Sequence, residues 1–198
     1  MNFLNEKCTI LLLDGETISR GEPFSCGDDD LDDFFHHSTD NYRKQQLGNT
    51  WCYFLDENPK VIVCAFTLSN SSMDVRHLPG SRKKKVITNI PREKHLSSYP
   101  AILVGRLGIN QNFKKRGIGS ELLKSICTIA TEDNKWSSCR FLTVDAYNTV
   151  AARKFYEANG FNYLFSSEMQ EKDYIGIPAD KELKTRLMYL DLIRLIKQ

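Results

Sequence analysis

A loop with two glycines and three basic residues lies between a predicted strand and a predicted helix. In "KKRGIGSELL", Lys114, Lys115 and Arg116 precede Gly117 and Gly119. A helix N-terminus has unpaired N–H groups and about half a positive charge, and glycine lets an anion approach because it has no Cβ. These residue types therefore predict a pyrophosphate-binding loop. The alternative interpretation is a basic, solvated loop that glycine caps at the start of a helix.

The spacing of the loop separates it from two common nucleotide motifs. A P-loop would require Lys-Ser/Thr directly after its second glycine, and a dinucleotide fingerprint would require a third glycine at position 122, which is leucine. The remaining pattern, Lys114-x-x-Gly117-x-Gly119, resembles the K/R/Q-x-x-G-x-G/A motif of Gcn5-related N-acetyltransferases (GNAT). A nucleotide-binding domain that uses the same loop is a weaker alternative.

A second segment resembles the other signature of this family. "VDAYNTVAARKFYEANGF" (Val144–Phe161) has a strand, an asparagine in the turn, a helix with "FYE", and then "GF". The distance between the two motifs also fits. The resemblance extends from "FSCG" to "RLMYLDL" and so covers nearly all of the chain.

The order of apolar runs and turn signals predicts the fold class. It reads β-α-β-β-loop-β-α-β-α-β-β, which predicts an α/β (or α+β) protein with a mixed sheet covered by helices. The resemblance implies about seven strands, mostly antiparallel, in a single N-acetyltransferase domain over residues 1–198. We expect an insertion at about 74–100, mostly loop with a short strand at Val86–Ile90, and a C-terminal strand at about 186–192. One helix is expected between about Asp28 and Gly48.

The resemblance implies how such a chain would bind acetyl-CoA. The co-substrate would lie between two splayed parallel strands, Arg106–Asn110 and Phe141–Asp145, with its pantetheine on the first and its pyrophosphate on the glycine loop. Tyr156 would protonate the departing thiolate as general acid. The implied co-substrate-binding residues are Leu107, Gly108, Ile109, Lys114, Lys115, Arg116, Gly117, Ile118, Gly119, Ser120 and Asn148.

The resemblance also shows a departure from the family pattern. A neutral amine attacks the thioester directly, and a backbone N–H near Ile109 could stabilise the oxyanion. Many members have a glutamate base on the fourth strand, but "AILVGRLGIN" contains no acidic residue. A water chain or an acceptor amine of low pKa could replace the base. Asp145 is a further candidate, although a strand-end aspartate often caps a turn.

The first half of the chain resembles one branch of the family. "FSCGDDDLDDFF" and the "GRL" of the fourth strand are similar to the toxins that acetylate the α-amine of aminoacyl-tRNA. Such an amine needs no strong base, which agrees with the missing glutamate. The segment from Arg76 to Lys94 has seven basic residues and one acidic residue, Glu93. It could bind RNA phosphates or form a solvated loop. The basic residues are Arg76, Arg82, Lys83, Lys84, Lys85, Arg92 and Lys94.

Composition limits the remaining classes. The net charge of +2 is low for a dedicated RNA-binding protein, and six scattered cysteines have no metal-ligand spacing, so we expect no metal. We expect no signal peptide, no membrane span and a cytoplasmic location. The main interpretation is N-acetyl transfer from acetyl-CoA to a primary amine on a small molecule, a protein or aminoacyl-tRNA; a non-catalytic acyl-CoA-binding module is the alternative. The resemblance leaves room for two protein partners, an antitoxin and a second copy of the chain.

Overall fold

The computed structural model describes residues 2–88, 90–91, 96–132 and 138–196. Strands alternate with helices along most of the chain. The strands are β1 Cys8–Leu12, β2 Asn49–Leu55, β3 Asn58–Asp74, β4 Ser98–Ile109, β5 Phe141–Tyr147, β6 Asn162–Tyr163 and β7 Thr185–Asp191. The helices are α1 Phe3–Lys7, α2 Gly15–Arg20, α3 Asp29–His37, α4 Thr39–Lys44, α5 Gly80–Val86, α6 Ile118–Glu132, α7 Val150–Ala158, α8 Glu168–Ile175 and α9 Ile193–Ile196.

The strands form one hydrogen-bonded sheet in the order β1-β2-β3-β4-β5-β7-β6. β1 and β2, β2 and β3, β5 and β7, and β6 and β7 pair antiparallel. β4 and β5 pair parallel, over Ala101–Leu103 and Phe141–Thr143 only. From Val144 onward, β5 has register partners in β7 alone within the described part of the chain. The predicted fold class, a mixed and mostly antiparallel α/β sheet with flanking helices, is confirmed.

The chain divides into two compact units. Unit 1 contains the residues up to Asn70 together with Val104–Ile129. Its core is formed where α3 packs on the first strands, and the rings of Phe24, Phe34 and Phe35 meet edge to face there. Asp28 caps α3 by accepting the amide hydrogen of Leu31, so the acidic residues that follow lie in the first turn, where the helix dipole favours them.

Unit 2 contains Ser71–Leu103 and the residues from Ala130 onward. Its core gathers Tyr99, Phe141 and Tyr189, whose rings pack edge to face in a row. Helix α5 joins this core because Val86 is buried and the guanidinium of Arg82 donates to the carbonyl of Leu164 at 3.0 Å. The apolar end of α5 and its one anchored arginine therefore hold the predicted insertion on unit 2.

The insertion differs from the prediction. Val86 ends helix α5, and Ile87 and Thr88 follow in a turn, so the expected strand at Val86–Ile90 is wrong for these residues; Asn89 lies outside the described residues. Arginine and lysine are good helix formers. The basic run 82–85 therefore continues as a helix that buries Val86 and Ile87 in the core.

Several helices were not predicted, among them the short α1, α2 and α9. The single helix expected before Gly48 is divided at Ser38 into α3 and α4. Helix α8 lies between β6 and β7, where no helix was expected, although Ser167 caps its start and Gly176 ends it with φ of 74°. No helix within the described ranges is long and apolar enough to cross a membrane.

Candidate active site

The end of β4 packs tightly against the helices of unit 1. A Cβ at Gly108 would lie 2.9 Å from Cε2 of the buried Phe35 and 3.2 Å from Cβ of Cys26. Only glycine fits this approach without displacing a core ring. Asn110 then fixes the strand end, because its side chain donates to the Ile62 carbonyl at 2.8 Å and its backbone N–H donates to the Val63 carbonyl at 2.9 Å.

The "SCG…LD" segment of the first half supports the turn that follows β4. The carboxylate of Asp32 accepts from the Cys26 N–H and the Ser25 hydroxyl, each at 2.7 Å. The Gln111 backbone N–H donates to the Ser25 carbonyl at 3.0 Å, and the Gln111 side chain reaches the Ser25 hydroxyl at 2.8 Å. The "SCG…LD" motif therefore has a structural role: it holds Gln111, which lies after β4 and three residues before the glycine loop.

The glycine loop presents its backbone to solvent in an unusual conformation. Lys115 and Gly117 both have positive φ, 61° and 82°. For Lys115 this backbone conformation is strained, because its side chain has a Cβ. Among the described residues, no hydrogen-bond partner is found for the amides from Lys115 to Gly119. Alternating backbone conformations with unpaired N–H groups form an anion-binding nest.

The side chains around the loop agree with an anionic ligand. Lys114, Lys115 and Arg116 are exposed, and α6 begins at Ile118 directly after the loop. The Gly117 carbonyl accepts from the amides of Ser120 and Glu121, which starts the helix. The residues present thus fit the pyrophosphate of CoA, with free amides, positive charge and a helix N-terminus in one segment.

Asn148 lies in unit 2, at the turn between β5 and α7. Its side-chain amide donates to the Leu183 carbonyl at 2.9 Å and to the Glu168 carboxylate at 3.2 Å, and its backbone N–H donates to the Lys184 carbonyl. Its Oδ1 is buried without a hydrogen-bond partner. A buried acceptor without a partner is costly, and an amide N–H of a pantetheine arm would satisfy it.

Tyr156 packs against two aromatic residues, one on α7 and one just after the end of that helix. Its ring packs edge to face on Phe155 at 5.1 Å and on Phe161 at 5.4 Å between centroids. Burial raises the pKa of Tyr156 to about 12. The hydroxyl is therefore protonated throughout the neutral range, and no partner for it is found within the described chain. A proton donor of this kind suits a thiolate leaving group.

A cavity of about 400 Å³ opens on one face of β5 and β7 in unit 2. Thr143, Asp145 and Leu187 line it from the strands, and Glu171 lines it from α8. Burial raises the pKa of Asp145, and Asp145 caps no turn, because Thr149 caps α7 instead. The turn-cap alternative for Asp145 is therefore wrong.

A buried ion pair closes one wall of this cavity. The Glu171 carboxylate accepts from Nε of Arg186 at 2.7 Å and from the Leu187 N–H, and both charged side chains are almost fully buried. Burial raises the pKa of Glu171, while Arg186 and the Leu187 amide act in the opposite direction. The pair satisfies both charges internally and fixes α8 on β7.

Comparison with known families and structures identifies this arrangement. Residues 85–163 match the family model of the acetyltransferase (GNAT) domain. This segment is a GNAT acetyltransferase domain. It contains the glycine loop, Asn148 and Tyr156, and the match confirms the predicted resemblance for these residues. A search of curated proteins with the sequence found no match.

Solved structures share the GNAT fold over almost the whole chain. A tyrosine-to-phenylalanine mutant of KacT is 18% identical with a TM-score of 0.71, covering 97% of this chain and 99% of its own. AtaT complexed with acetyl-methionyl-tRNAfMet is 17% identical with a TM-score of 0.69, covering 96% and 99%. AtaTR bound with AcCoA is 19% identical with a TM-score of 0.66, covering 98% and 99%.

The thiols of this protein do not offer a nucleophile. Burial raises the pKa of Cys8 and Cys127 to about 11 and that of Cys26 and Cys52 to about 12. The pKa values of Cys64 and Cys139 are also raised by burial. The thiolate is the reactive form of cysteine, so these groups are unreactive at neutral pH. No cluster of metal-ligating side chains is found among the described residues.

The structure separates the predicted site residues into two groups. Unit 1 contains Leu107, Gly108, Ile109 and the loop 114–120 in one continuous segment, and unit 2 contains Asn148 and Tyr156. Sequence reasoning missed Glu171 and Arg186. The only signal for them was an acidic residue in an unpredicted helix and an arginine in an apolar strand, and charged residues are rarely buried unless they are paired.

Proposed function

We propose that this GNAT protein transfers the acetyl group of acetyl-CoA directly to a primary amine. The observation that carries the proposal is the glycine loop, with left-handed Lys115 and Gly117, unpaired amides and exposed basic side chains. These features of the loop would bind the pyrophosphate of acetyl-CoA. Backbone groups of Leu107, Gly108 and Ile109 would pair with the pantetheine as a strand does.

The remaining residues support the chemistry of transfer. The amine nitrogen attacks the acetyl carbonyl carbon, the C–N bond forms, and the C–S bond breaks. Tyr156 donates its proton to the departing sulfur, and the protonated amine nitrogen returns one proton to the tyrosinate through water. Because the cysteine thiols are un-ionised at neutral pH, an acetyl-cysteine intermediate is disfavoured, and we expect a sequential mechanism rather than a ping-pong one.

We propose aminoacyl-tRNA as the acceptor. The fold is shared with AtaT, which was solved in complex with acetyl-methionyl-tRNAfMet. The basic segment supports this less strongly than its sequence does, because Arg76 pairs with Asp74 and Arg82 binds carbonyl groups. Lys84 and Lys85 are exposed, and Lys83 is partly so. Arg92 and Lys94 lie outside the described residues.

Two further statements belong to the same proposal. We place the activity in the cytoplasm, because the six cysteines are free thiols and acetyl-CoA is the co-substrate. An antitoxin is proposed as a partner, since the similar structures include the AtaT toxin bound to the C-terminus of the antitoxin AtaR. A second copy of the chain stays a prediction.

The test is acetyl transfer from radiolabelled acetyl-CoA to charged total tRNA and, separately, to free amines, with wild type and Tyr156→Phe. We expect label in the tRNA fraction that disappears when the tRNA is deacylated beforehand. We expect Tyr156→Phe to lower kcat by about 10²-fold or more with unchanged acetyl-CoA affinity. Label in the free amines alone would reject the tRNA acceptor. Acetyl-CoA binding without transfer to any acceptor would favour the non-catalytic module.

A further inference from the structure

The cavity in unit 2 lies where the parallel pairing of β4 with β5 ends. Leu103 and Thr143 are the last residue pair of that ladder, and both line the cavity. Beyond this pair, Asp145 lies on the same face of β5 as Thr143, since side chains alternate along a strand. The cavity therefore begins at the point where the strands stop sharing hydrogen bonds.

The carboxylates that line the cavity differ in their partners. Asp74 binds the guanidinium of Arg76, and Glu171 binds Arg186 and the Leu187 amide. Asp145 lies near Glu171 and is partly accessible to solvent, and its carboxylate has no hydrogen-bond or cation partner among the residues that the structure describes. It is thus the lining carboxylate that is available to a ligand, and a cationic ligand would satisfy it.

The rest of the lining is mainly apolar. Phe165 and Leu187 belong to or pack on the core of unit 2, and Ile175 closes the end of α8. A volume of about 400 Å³ lies within the range of small-molecule pockets. The lining therefore suits a ligand that has an ammonium group and an apolar side chain.

We propose that this cavity binds the amino-acid part of the acceptor, with its α-amine on Asp145 and its apolar side chain against Phe165, Ile175 and Leu187. The inference rests on the proposed function for its biological meaning, but it concerns binding and is tested by binding. It selects acceptors with an apolar amino acid over those with an acidic one, because Asp145 and Glu171 repel a carboxylate.

Asp145 also has the chemistry to activate the amine. Its carboxylate takes one proton from the bound ammonium, which leaves a neutral amine for attack on the thioester, and it later releases that proton to solvent. Burial raises its pKa, which makes it a stronger base than an ordinary aspartate. The other titratable groups lining the cavity are Asp74 on β3 and Glu171 and Tyr174 on α8.

The first experiment measures binding of leucinamide and of N-acetyl-leucinamide to the full chain by ligand-observed NMR. We expect leucinamide to bind and its acetylated form, which lacks the ammonium, to bind at least about tenfold more weakly. Asp145→Asn should weaken leucinamide by about tenfold, whereas the control Asp180→Asn, an exposed carboxylate outside the cavity, should not. Equal binding of the two amides, or no effect of Asp145→Asn, would overturn the assignment.

The second experiment tests the apolar wall by filling it. Ile175→Trp adds volume at a half-exposed position that lines the cavity, and Met169→Trp makes the same change at a half-exposed position on α8 outside it. We expect Ile175→Trp to weaken leucinamide by about tenfold and glycinamide by less than about twofold. An equal effect of both tryptophans would assign leucinamide to another surface.

Acetyl transfer is measured in parallel, so that the two proposals can fail separately. Binding of leucinamide with the expected variant effects but without acetyl transfer would reject the proposed activity and keep the cavity assignment. Transfer with unchanged binding in Asp145→Asn and Ile175→Trp would keep the activity and reject the cavity.

Discussion

The guanidinium carbon of Arg106 lies 3.6 Å from the centroid of the Phe34 ring and 5.2 Å from that of Tyr42. Arg106 belongs to the "GRL" of β4, and Phe34 belongs to the "LDDFF" of α3. A planar guanidinium over an aromatic face gives a cation–π interaction and excludes water from both groups. The two segments that resemble one branch of the family are thus in direct contact in unit 1.

This contact predicts a measurable coupling between Arg106 and Phe34. Arg106→Lys keeps the charge but loses the planar stack, and Phe34→Leu keeps an apolar side chain but loses the ring. We expect a coupling free energy of about 1 kcal/mol in a double-mutant cycle of urea unfolding. Strict additivity of the two changes would show that the stacked geometry does not contribute to stability.

Gly108 is predicted to be intolerant of any side chain. Gly108→Ala places a Cβ against Phe35 and Cys26 in a close-packed core, so the free energy of unfolding should fall by about 1–3 kcal/mol. Gly105→Ala, on the same strand with nothing within 4 Å of its new Cβ, is the matched control and should change stability by less than about 0.5 kcal/mol. Thermal unfolding of both variants decides the matter; equal stability would contradict the close approach.

Gly117 combines a conformational and a binding requirement. A Cβ at positive φ costs about 1–2 kcal/mol, so Gly117→Ala and Gly176→Ala should lose similar stability, because both glycines have positive φ and open space around them. Only Gly117→Ala should also weaken acetyl-CoA, measured by isothermal titration calorimetry. If Gly176→Ala weakens acetyl-CoA equally, the effect is one of general stability and not of the loop.

The buried pair on α8 predicts an asymmetry between two glutamates. Glu171→Gln leaves the charge of Arg186 buried, and among the described residues the half-exposed Glu168 carboxylate at 3.7 Å is then its remaining acidic partner, so the change should destabilise the fold by about 3 kcal/mol. Glu168→Gln removes that weaker and half-exposed partner and should cost less than about 0.5 kcal/mol. Denaturant midpoints of the two variants are compared; a small loss in Glu171→Gln would mean that water reaches Arg186.

Tyr156 predicts a difference in alkaline stability. Because its pKa is raised from 10.0 to about 12 by burial, its contribution is fully present below pH 10 and is lost as the pH rises through the folded-state value. Wild type should therefore lose up to about 2 kcal/mol more than Tyr156→Phe between about pH 9 and pH 12. The loss of stability that both proteins share, which includes the effect of the other tyrosines, serves as the control. Parallel pH curves would contradict the raised pKa.

The positions of the strands along the chain and the glycine loop could be predicted from the sequence because both depend on local signals. Apolar runs, turn residues and a glycine pair are visible without tertiary information. Helix α5 was missed because its residues 81–85 contain no apolar periodicity, although arginine and lysine favour a helix and Val86 packs on the core. The break at Ser38 depends on tertiary packing in the same way.

The cavity could not be predicted, because its lining comes from β3, β4, β5, β7 and α8. Asp145 was noticed as a strand-end carboxylate, but its lack of a partner depends on Arg76 and Arg186 binding the other acids. Those pairings join residues that are up to 15 positions apart in sequence. Pairing of side chains from different elements is a property of the folded chain, and residue spacing in the sequence does not predict it.

The raised pKa values of the cysteines have a consequence for how this protein tolerates its own co-substrate. Acetyl-CoA is a thioester, and a free thiolate exchanges with thioesters without catalysis. The thiols at Cys26, Cys52 and Cys64 are buried and protonated at neutral pH. Uncatalysed transfer of acetyl groups onto these core sulfur atoms is therefore disfavoured.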